Sequence, residues 1–364
     1  MNMYVNVCAS ASGCNGCGLC NAFGRRISVK SGIEMSVAKE RAGDAAVYVR
    51  LALVAVAWGG TFIAGRSLAG VAPMFSASLR FLLASAALSL FLVVSGKGFR
   101  RVTVGQALVV SLLGFCGIFS YSFFFFSGLQ HISASRAALI VALNPAVMAL
   151  IAYLFYRERV SALKMLGIAL CFGGVALVVG GGDPQRAGAG GSGWLGEALI
   201  GGCVLSWSAY SVFCKSVVRQ LGPLHTVTYS IYAGTLMLAV YTACTGALDF
   251  AAVARFSSGE MLSLLYLGIV GSAVAYIWYY DGIQKIGVAR AGVFIALNPL
   301  AAVLFGAALL GEQMTLATLL GGALIITGIV VENFRSGAGC AQAAEPPLEV
   351  SAEPSTKLSG QARG

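Results

Sequence analysis

The feature that most constrains this chain is a segment that occurs twice. Gly128–Val179 and the stretch that begins at Gly282 align without a gap at a constant offset of 154 residues. Both copies carry Ala-Leu-Asn-Pro, at 142–145 and 296–299, and a Glu thirteen residues after each Pro. Such agreement indicates an internal duplication, which decides how the rest of the chain is read. The sequence therefore predicts two similar halves.

Composition places both halves in a membrane. Of 364 residues, 58% are hydrophobic and 10% are charged, against about 25% charged residues in a soluble domain. Ten apolar segments are predicted as helices, because a helix satisfies its own backbone hydrogen bonds in lipid. Several reach the roughly 20 residues of a membrane crossing, and the first is marginal. They cover 49–65, 74–95, 105–127, 134–156, 162–180, 195–213, 225–245, 261–280, 288–310 and 315–334.

The duplication extends to the start of each half, since Trp58 matches Trp207 at an offset of 149 residues. Each half therefore contains five of the apolar segments. The polar, Gly-rich and Ser-rich stretches outside them predict flexible or disordered chain. We expect a disordered, Cys-containing extension, for which Met35 is an alternative start, then the first repeat, a Gly-rich linker, the second repeat and a disordered tail. Their bounds are 1–47, 48–180, 181–193, 194–335 and 336–364.

Five helices per half is an odd number, so the second half must enter the membrane inverted. With a cytoplasmic N-terminus, 19 of the 24 Lys and Arg residues fall inside, three fall outside and two lie within helices. Cationic loops are retained on the cytoplasmic side. The net charge of +10 is therefore no sign of nucleic-acid binding. We predict an all-α multi-pass protein of the inner (plasma) membrane, with ten transmembrane helices as two inverted five-helix repeats and both termini cytoplasmic.

Inverted repeats are typical of secondary transporters, whose sites lie near the midplane where helices are interrupted. Asn144-Pro145 and Asn298-Pro299 fall near the middle of the fourth and ninth segments. Proline removes a backbone donor and clashes with the preceding turn. The two pairs predict a kinked, polar wall of a substrate path. The alternative is a packing kink whose Asn is satisfied locally.

Two charged residues are candidates at depth. Arg80 lies seven residues past Pro73 in the second segment, roughly 10 Å into the membrane. An embedded Arg marks a functional site by default, here one for an anionic group such as a carboxylate, unless it snorkels or forms a structural ion pair. Glu197, one turn into the sixth segment, is a candidate proton-coupling group, because burial disfavours a charged carboxylate. It could instead be solvated at the interface near Trp194 or pair with Arg80.

Aromatic residues form a third group of candidates. Trp58, Trp207, Tyr210, Tyr121 and Tyr276 could line a cavity for amphipathic or cationic organic solutes by stacking and cation–π contact. Alternatively, they belong to the packed core and the interfacial belts. The run of Phe that follows Tyr121 is predicted to be packing.

The repeated glutamates have a structural interpretation. Glu158 and Glu312 are expected to cap the short turns into the next helix, whose positive N-terminal dipole favours a carboxylate.

Three motifs carry a resemblance to a known family. They are W-G-G-T-F at 58–62, Pro73 with L-R-F-L-L-A at 79–84, and L-N-P followed by Glu and two Gly in both halves. Through them, the region from about residue 50 to 333 resembles the EamA-type carriers of the drug/metabolite transporter superfamily. The resemblance implies ten helices, alternating access, and export or exchange of small metabolites, amino acids or drugs.

We therefore predict a secondary active transporter that is coupled to protons or to solute exchange. Its expected partners are a small-molecule substrate and the bilayer, with no nucleic acid, and it is a monomer or a homodimer. No phosphate-binding loop is present, and no catalytic constellation lies at depth, so neither an enzyme nor a cofactor is predicted.

The alternative is a membrane-anchored metal or redox sensor. It would use Cys8, Cys14, Cys17 and Cys20, of which the last three are spaced as in an iron–sulfur protein. Gly24 stands where that motif has its fourth Cys. This departure from the motif leaves disordered chain as the favoured interpretation of the segment, and no metal site is predicted.

Overall fold

The computed structural model describes residues 45–157, 161–181, 194–247, 250–286, 291, 294–295 and 297–333, and this part of the chain contains helices and no strand. The helices are α1 Ala45–Ser67, α2 Pro73–Val94, α3 Val104–Leu129, α4 Ala134–Val141, α5 Asn144–Tyr156, α6 Ala162–Gly180, α7 Leu195–Phe213, α8 Lys215–Leu221, α9 Pro223–Cys244, α10 Phe250–Val253, α11 Ser258–Ile286, α12 Leu297–Leu310 and α13 Leu316–Asn333.

The molecule is a multi-pass membrane protein. Among the described residues, seven stretches are long and apolar enough to cross a membrane: α1, α2, α3, α4 with α5, α6, α9 and α11. The helices α12 and α13 are apolar but shorter, and every predicted apolar segment overlaps a helix. Large apolar side chains such as Leu82, Leu90 and Val94 of α2 face outward, as expected of a surface in contact with lipid tails rather than water.

Local sequence sets where the helices begin. Proline occupies the first turn of α2 and of α9, where its missing N–H costs no hydrogen bond. The start of α3 is a capping box, in which the Thr103 hydroxyl and the Gln106 side chain each accept a hydrogen bond from the other's backbone N–H. These signals fix where the turns before α2, α3 and α9 end.

The two ends of the bundle are named here by one residue each. The Glu312 end holds the turns 68–72, 130–133 and 311–315. The Lys285 end holds the turn 95–103, the short helix α8 with its flanking residues 214 and 222, and the C-terminus of α11. Side chains bridge the turns within each end. The Arg66 guanidinium donates to the Leu129 carbonyl at the first, and the Tyr229 hydroxyl donates to the Arg100 carbonyl at 2.8 Å at the second.

Helices α6 and α13 pack backbone to backbone. A Cβ on Gly174 would lie 2.6 Å from the Gly321 carbonyl oxygen, and one on Gly328 would lie 2.7 Å from that of Gly167, so only glycine permits this approach. Gly167 and Gly174 are the repeat equivalents of Gly321 and Gly328. The two helices are therefore antiparallel, and the contact looks the same from either half.

Each half also contains a stretch of π-helix that was not predicted. Phe115–Ser120 interrupts α3 and Tyr266–Val274 interrupts α11. The two stretches overlap when the chain is shifted by 154 residues, the offset of the repeat. A π turn leaves backbone groups out of the regular ladder and is often found at functional sites.

Candidate functional site

The π stretch of α11 positions two of the predicted site residues. Trp58 of α1 donates its indole N–H to the Gly271 carbonyl at 3.0 Å. Arg80 of α2 donates from Nε to Ser272 Oγ at 3.1 Å. The Ser272 hydroxyl in turn donates to the Leu267 carbonyl at 2.8 Å, five residues back, which the π geometry makes available. Three helices thus meet at this stretch.

Five aromatic side chains selected from the sequence form one connected cluster, which we call the ring cluster. Trp58 lies edge-on to Tyr276, with ring centroids 5.8 Å apart, and Tyr276 stacks near Trp207 at 6.4 Å. Trp207 also contacts Tyr210 at 5.4 Å and Tyr121 at 5.6 Å. These separations are typical of attractive aromatic pairs. The structure therefore brings together residues from α1, α3, α7 and α11.

Arg80 lies beside the ring cluster and is 5% exposed. Its guanidinium carbon is 4.9 Å from the centroid of Phe81 and 5.9 Å from that of Phe125. Tyr121 and Tyr276 are close enough to interact with it electrostatically. Its Nη1 is buried and has no hydrogen-bond partner among the described residues. The snorkelling alternative is wrong, because the side chain is enclosed by rings and anchored to Ser272.

Glu197 lies apart from this site. Its carboxylate binds Arg136 at 2.9 Å, with side chains 9% and 3% exposed, and Arg136 also donates to the Val179 carbonyl at 3.3 Å. The alternative that Glu197 pairs with Arg80 is therefore wrong. The physical reason is that the first turns of α4 and α7 lie side by side at the Glu312 end, whereas Arg80 is in the third turn of α2.

Glu312 caps a helix, but not the predicted one. It accepts hydrogen bonds from the backbone N–H groups of Ala134 and Ser135, at 2.7 and 3.0 Å, and from the Ser135 hydroxyl. The expected helix, α13, is instead capped by Thr315, which accepts from the Thr318 N–H at 3.1 Å. The end of α12 lies against the start of α4, so the second half caps a helix of the first. Glu158 lies outside the described residues.

Each Asn-Pro pair lies next to one of the two tryptophans of the ring cluster. The predicted interruption is present as a break at 142–143, and α5 begins at Asn144 with Pro145 in its first turn. Asn144 is 3.5 Å from the hydroxyl of Ser208, which follows Trp207.

The second pair makes the equivalent contact. The carbonyl of Asn298, which precedes the buried Pro299, would be 2.9 Å from a Cβ on Gly59, which follows Trp58. The Oδ1 atom of Asn298 is buried without a hydrogen-bond partner among the described residues. Each pair thus contacts the residue that follows one tryptophan of the ring cluster.

A cavity of about 330 Å³ is present at the Lys285 end. Asp281 accepts from Lys285 at 2.8 Å and contacts Arg50 at 3.5 Å, so two cations share one carboxylate. Tyr280 lines the cavity and also stacks near Tyr276, at 6.4 Å. The ring cluster is therefore connected to the cavity through Tyr280. The complete lining is Arg50, Phe91, Lys97, Leu224, Ile277, Trp278, Tyr280, Asp281, Gln284 and Lys285.

Some residues of the site were not selected from the sequence. Ser272 gave no signal, because its role depends on the π stretch. Tyr279 and Tyr280 follow Tyr276 at spacings of three and four residues, which place side chains on one helix face. That spacing could have identified them. Phe125, predicted to be packing alone, is fully buried and also faces Arg80.

The cysteines of the alternative sensor hypothesis, Cys8, Cys14, Cys17 and Cys20, lie outside the described residues.

Comparison with known proteins gives consistent results. Residues 46–180 and 194–334 each match the model of the EamA-like transporter family. "Uncharacterized transporter YyaM" of Bacillus subtilis is 27% identical over 79% of this chain and 93% of its own length. The "Probable terminal-alkyne amino-acid exporter" of Streptantibioticus cattleyicolor is 27% identical over the same shares. A solved structure has the same fold, with a TM-score of 0.58 and 20% identity, over 83% of this chain and 99% of its own.

Proposed function

Because this chain belongs to the EamA-like transporter family, we propose that it is a secondary active transporter that moves a small organic solute by alternating access. The observation that carries the proposal is Arg80, a buried cation beside the ring cluster whose Nη1 has no hydrogen-bond partner in the described part of the chain. A charge at this depth is expensive and is kept where it serves a transport path. The ring cluster would supply the apolar walls that small-molecule sites require.

The proposed architecture is ten transmembrane helices in two inverted repeats. Two observations support it. In the α6–α13 contact, Gly174 meets Gly321, the repeat equivalent of Gly167, and Gly167 meets Gly328, the repeat equivalent of Gly174. A two-fold axis in the membrane plane would produce this reciprocal pairing. The π stretches fall at matching positions of the third helix of each half. The proposed substrate site, including Asn144, Pro145, Asn298 and Pro299, then lies between the repeats.

In the proposed orientation, the protein lies in the plasma membrane and its Lys285 end faces the cytoplasm. Its support is the charge of that end, where Arg50, Lys97 and Lys285 surround the cavity, in keeping with the retention of cationic loops inside. The cavity then faces the cytoplasm, while Arg80 itself remains buried. The direction of net movement is proposed as export or exchange, which one relative, the probable terminal-alkyne amino-acid exporter, supports.

Coupling would use protons or a counter-solute. Glu197 remains the proposed coupling residue, now through its bond to Arg136. Protonation of this carboxylate would remove the attraction between the two side chains and so weaken the closure of the Glu312 end.

The test is flux through the full-length protein in proteoliposomes. Labelled amino acids, other small carboxylates and cationic drugs are offered with and without a pH gradient. For any transported solute, Arg80→Ala should reduce uptake by about a hundredfold or more, because the embedded cation is lost, while detergent extraction and gel filtration show normal insertion. Arg219→Ala is the matched control, since Arg219 is exposed on α8.

Two results would contradict the proposal. Normal uptake by Arg80→Ala would remove this residue from the site. Failure of the wild-type protein to move any of the offered solutes, with or without the gradient, would contradict the transport function itself.

A further inference from the structure

Beside the ring cluster lies a fixed positive charge, Arg80, for which the described residues provide no counter-ion. Arg80 is 5% exposed, and the groups that interact with it are a serine hydroxyl, aromatic rings and the thiol of Cys203. None of these carries a negative charge at neutral pH. A buried ion without a partner is strongly unfavourable, so the site is incomplete as it stands.

The carboxylates of the described side chains are all engaged elsewhere. Glu197 binds Arg136, and Glu312 caps α4. Asp281 lies between Lys285 and Arg50 in the cavity lining. Glu260 accepts hydrogen bonds from Ser257 at the exposed start of α11. The negative charge that Arg80 lacks must therefore come from outside this part of the chain.

The approach to Arg80 is also positive. The cavity at the Lys285 end presents Arg50, Lys97 and Lys285 against Asp281 alone, a net charge of two positive units. A charged entrance of one sign raises the local concentration of ions of the opposite sign and speeds their arrival. It repels organic cations, which stacking on the rings alone would otherwise admit.

We propose that the solute is a small organic anion, a carboxylate with a compact apolar or aromatic body, and that organic cations are excluded. This inference rests on the proposed transport function. The carboxylate accepts a hydrogen bond from Arg80 Nη1, as guanidinium donors favour, and the body of the solute lies against Trp58, Trp207 and Tyr276.

The path to the guanidinium is closed in this structure. Tyr280 lines the cavity and stacks near Tyr276, which interacts electrostatically with Arg80. These two rings connect the cavity to the guanidinium, which is itself buried. Binding therefore requires them to move apart.

The test is equilibrium binding to the detergent-solubilised full-length protein. Three probes share one body and differ in charge: 3-phenylpropionate, 3-phenylpropionamide and 3-phenylpropylamine. Binding is followed by the fluorescence of the four tryptophans, two of which lie in the ring cluster. The acid should bind at least about tenfold more tightly than the amide, because the amide carbonyl can accept from Arg80 but lacks the negative charge that strengthens the bond. The amine should not compete.

Two variants assign the difference to Arg80. Arg80→Gln should remove the preference for the acid over the amide, while leaving weak binding of both through the rings. Arg219→Gln should leave the preference unchanged.

Three results would overturn the inference: equal or tighter binding of the amine, no binding of the acid at 10 mM ligand (roughly the weakest affinity of interest for a carrier), or a preference that survives in Arg80→Gln. These outcomes are independent of flux. Transport of a cation would contradict the proposed anion specificity but support the transport function. Selective binding of the acid without any flux would support the anion specificity but contradict the transport function.

Discussion

The two ends of the helix bundle are built from different interactions. At the Glu312 end, buried polar groups join the halves, with the Arg136–Glu197 bond and the Glu312 cap on α4 both linking the first half to the second. At the Lys285 end, the charges line a cavity and their bonds are largely exposed, as for Asp281 with Lys285 and Arg50. Buried pairs are worth several times exposed ones when one partner is removed. Both ends carry bonds between the halves, and those at the Glu312 end are buried whereas those at the Lys285 end are largely exposed.

The difference suggests how the protein could change state. A movement that opens the Glu312 end must break a small number of identified bonds, all between residues far apart in sequence. The Lys285 end can close by moving rings and exposed side chains. The following changes are ordered from the largest expected effect on this comparison to the smallest.

Glu197→Ala should have the largest effect, because it leaves Arg136 charged and buried without its carboxylate. We expect the free energy of unfolding to fall by about 3 to 5 kcal/mol, measured by denaturant titration in detergent micelles. Combining Arg136→Met with Glu197→Leu should restore most of the loss, since apolar replacements of a buried pair are often neutral. Glu260→Ala is the matched control, a carboxylate in the first turn of α11 that is exposed. An equal loss in the control would show that the burial of Glu197 is not the cause.

Glu312→Gln should loosen the same end without removing a charge pair. The amide has one acceptor in place of two and turns a donor toward the N–H groups of Ala134 and Ser135. Hydrogen bonds to a charged group contribute about 1.5 to 3 kcal/mol, so amide hydrogen exchange at 134–137 should speed up by roughly tenfold to a hundredfold. Exchange-detected mass spectrometry measures this, with Glu260→Gln as the control. Unchanged exchange would mean that the Glu312 contacts do not hold the start of α4.

Asp281→Asn should have the smallest effect on stability, at most about 1 kcal/mol, because its ion pairs are exposed. It should nevertheless strengthen the binding of an anion such as 3-phenylpropionate, since the cavity gains net positive charge. This gain should shrink as salt is raised from 20 to 200 mM, because the Debye length falls from about 20 to about 7 Å. A loss of stability comparable to that of Glu197→Ala would remove the distinction between the two ends.

The sequence predicted the helices, and it selected candidate site residues without predicting most of the contacts that they make. Apolar length identifies membrane helices. Arg80 was selected because a charge is unusual at that depth, Asn144 because its Asn-Pro pair recurs in both halves, and the aromatic residues because they are dense or occupy matched positions. The partners depend on packing that no local pattern encodes. Arg136 meets Glu197 because the first turns of α4 and α7 are adjacent, and Ser272 reaches Arg80 through a π stretch. The cap at Glu312 was assigned to the neighbouring helix because a local rule was applied to a contact between residues 178 positions apart.

The glycine contact between α6 and α13 has a consequence for the proposed cycle. Gly174 meets Gly321 and Gly167 meets Gly328, so the pairing is preserved if the two repeats exchange their conformations. In such an exchange the contact between α6 and α13 would be the axis of the movement, because its residues keep the same neighbours in both states. The contacts that change during the movement are then those that do not recur between equivalent residues of the two halves. A side chain introduced at Gly174 would hinder the movement in both directions equally.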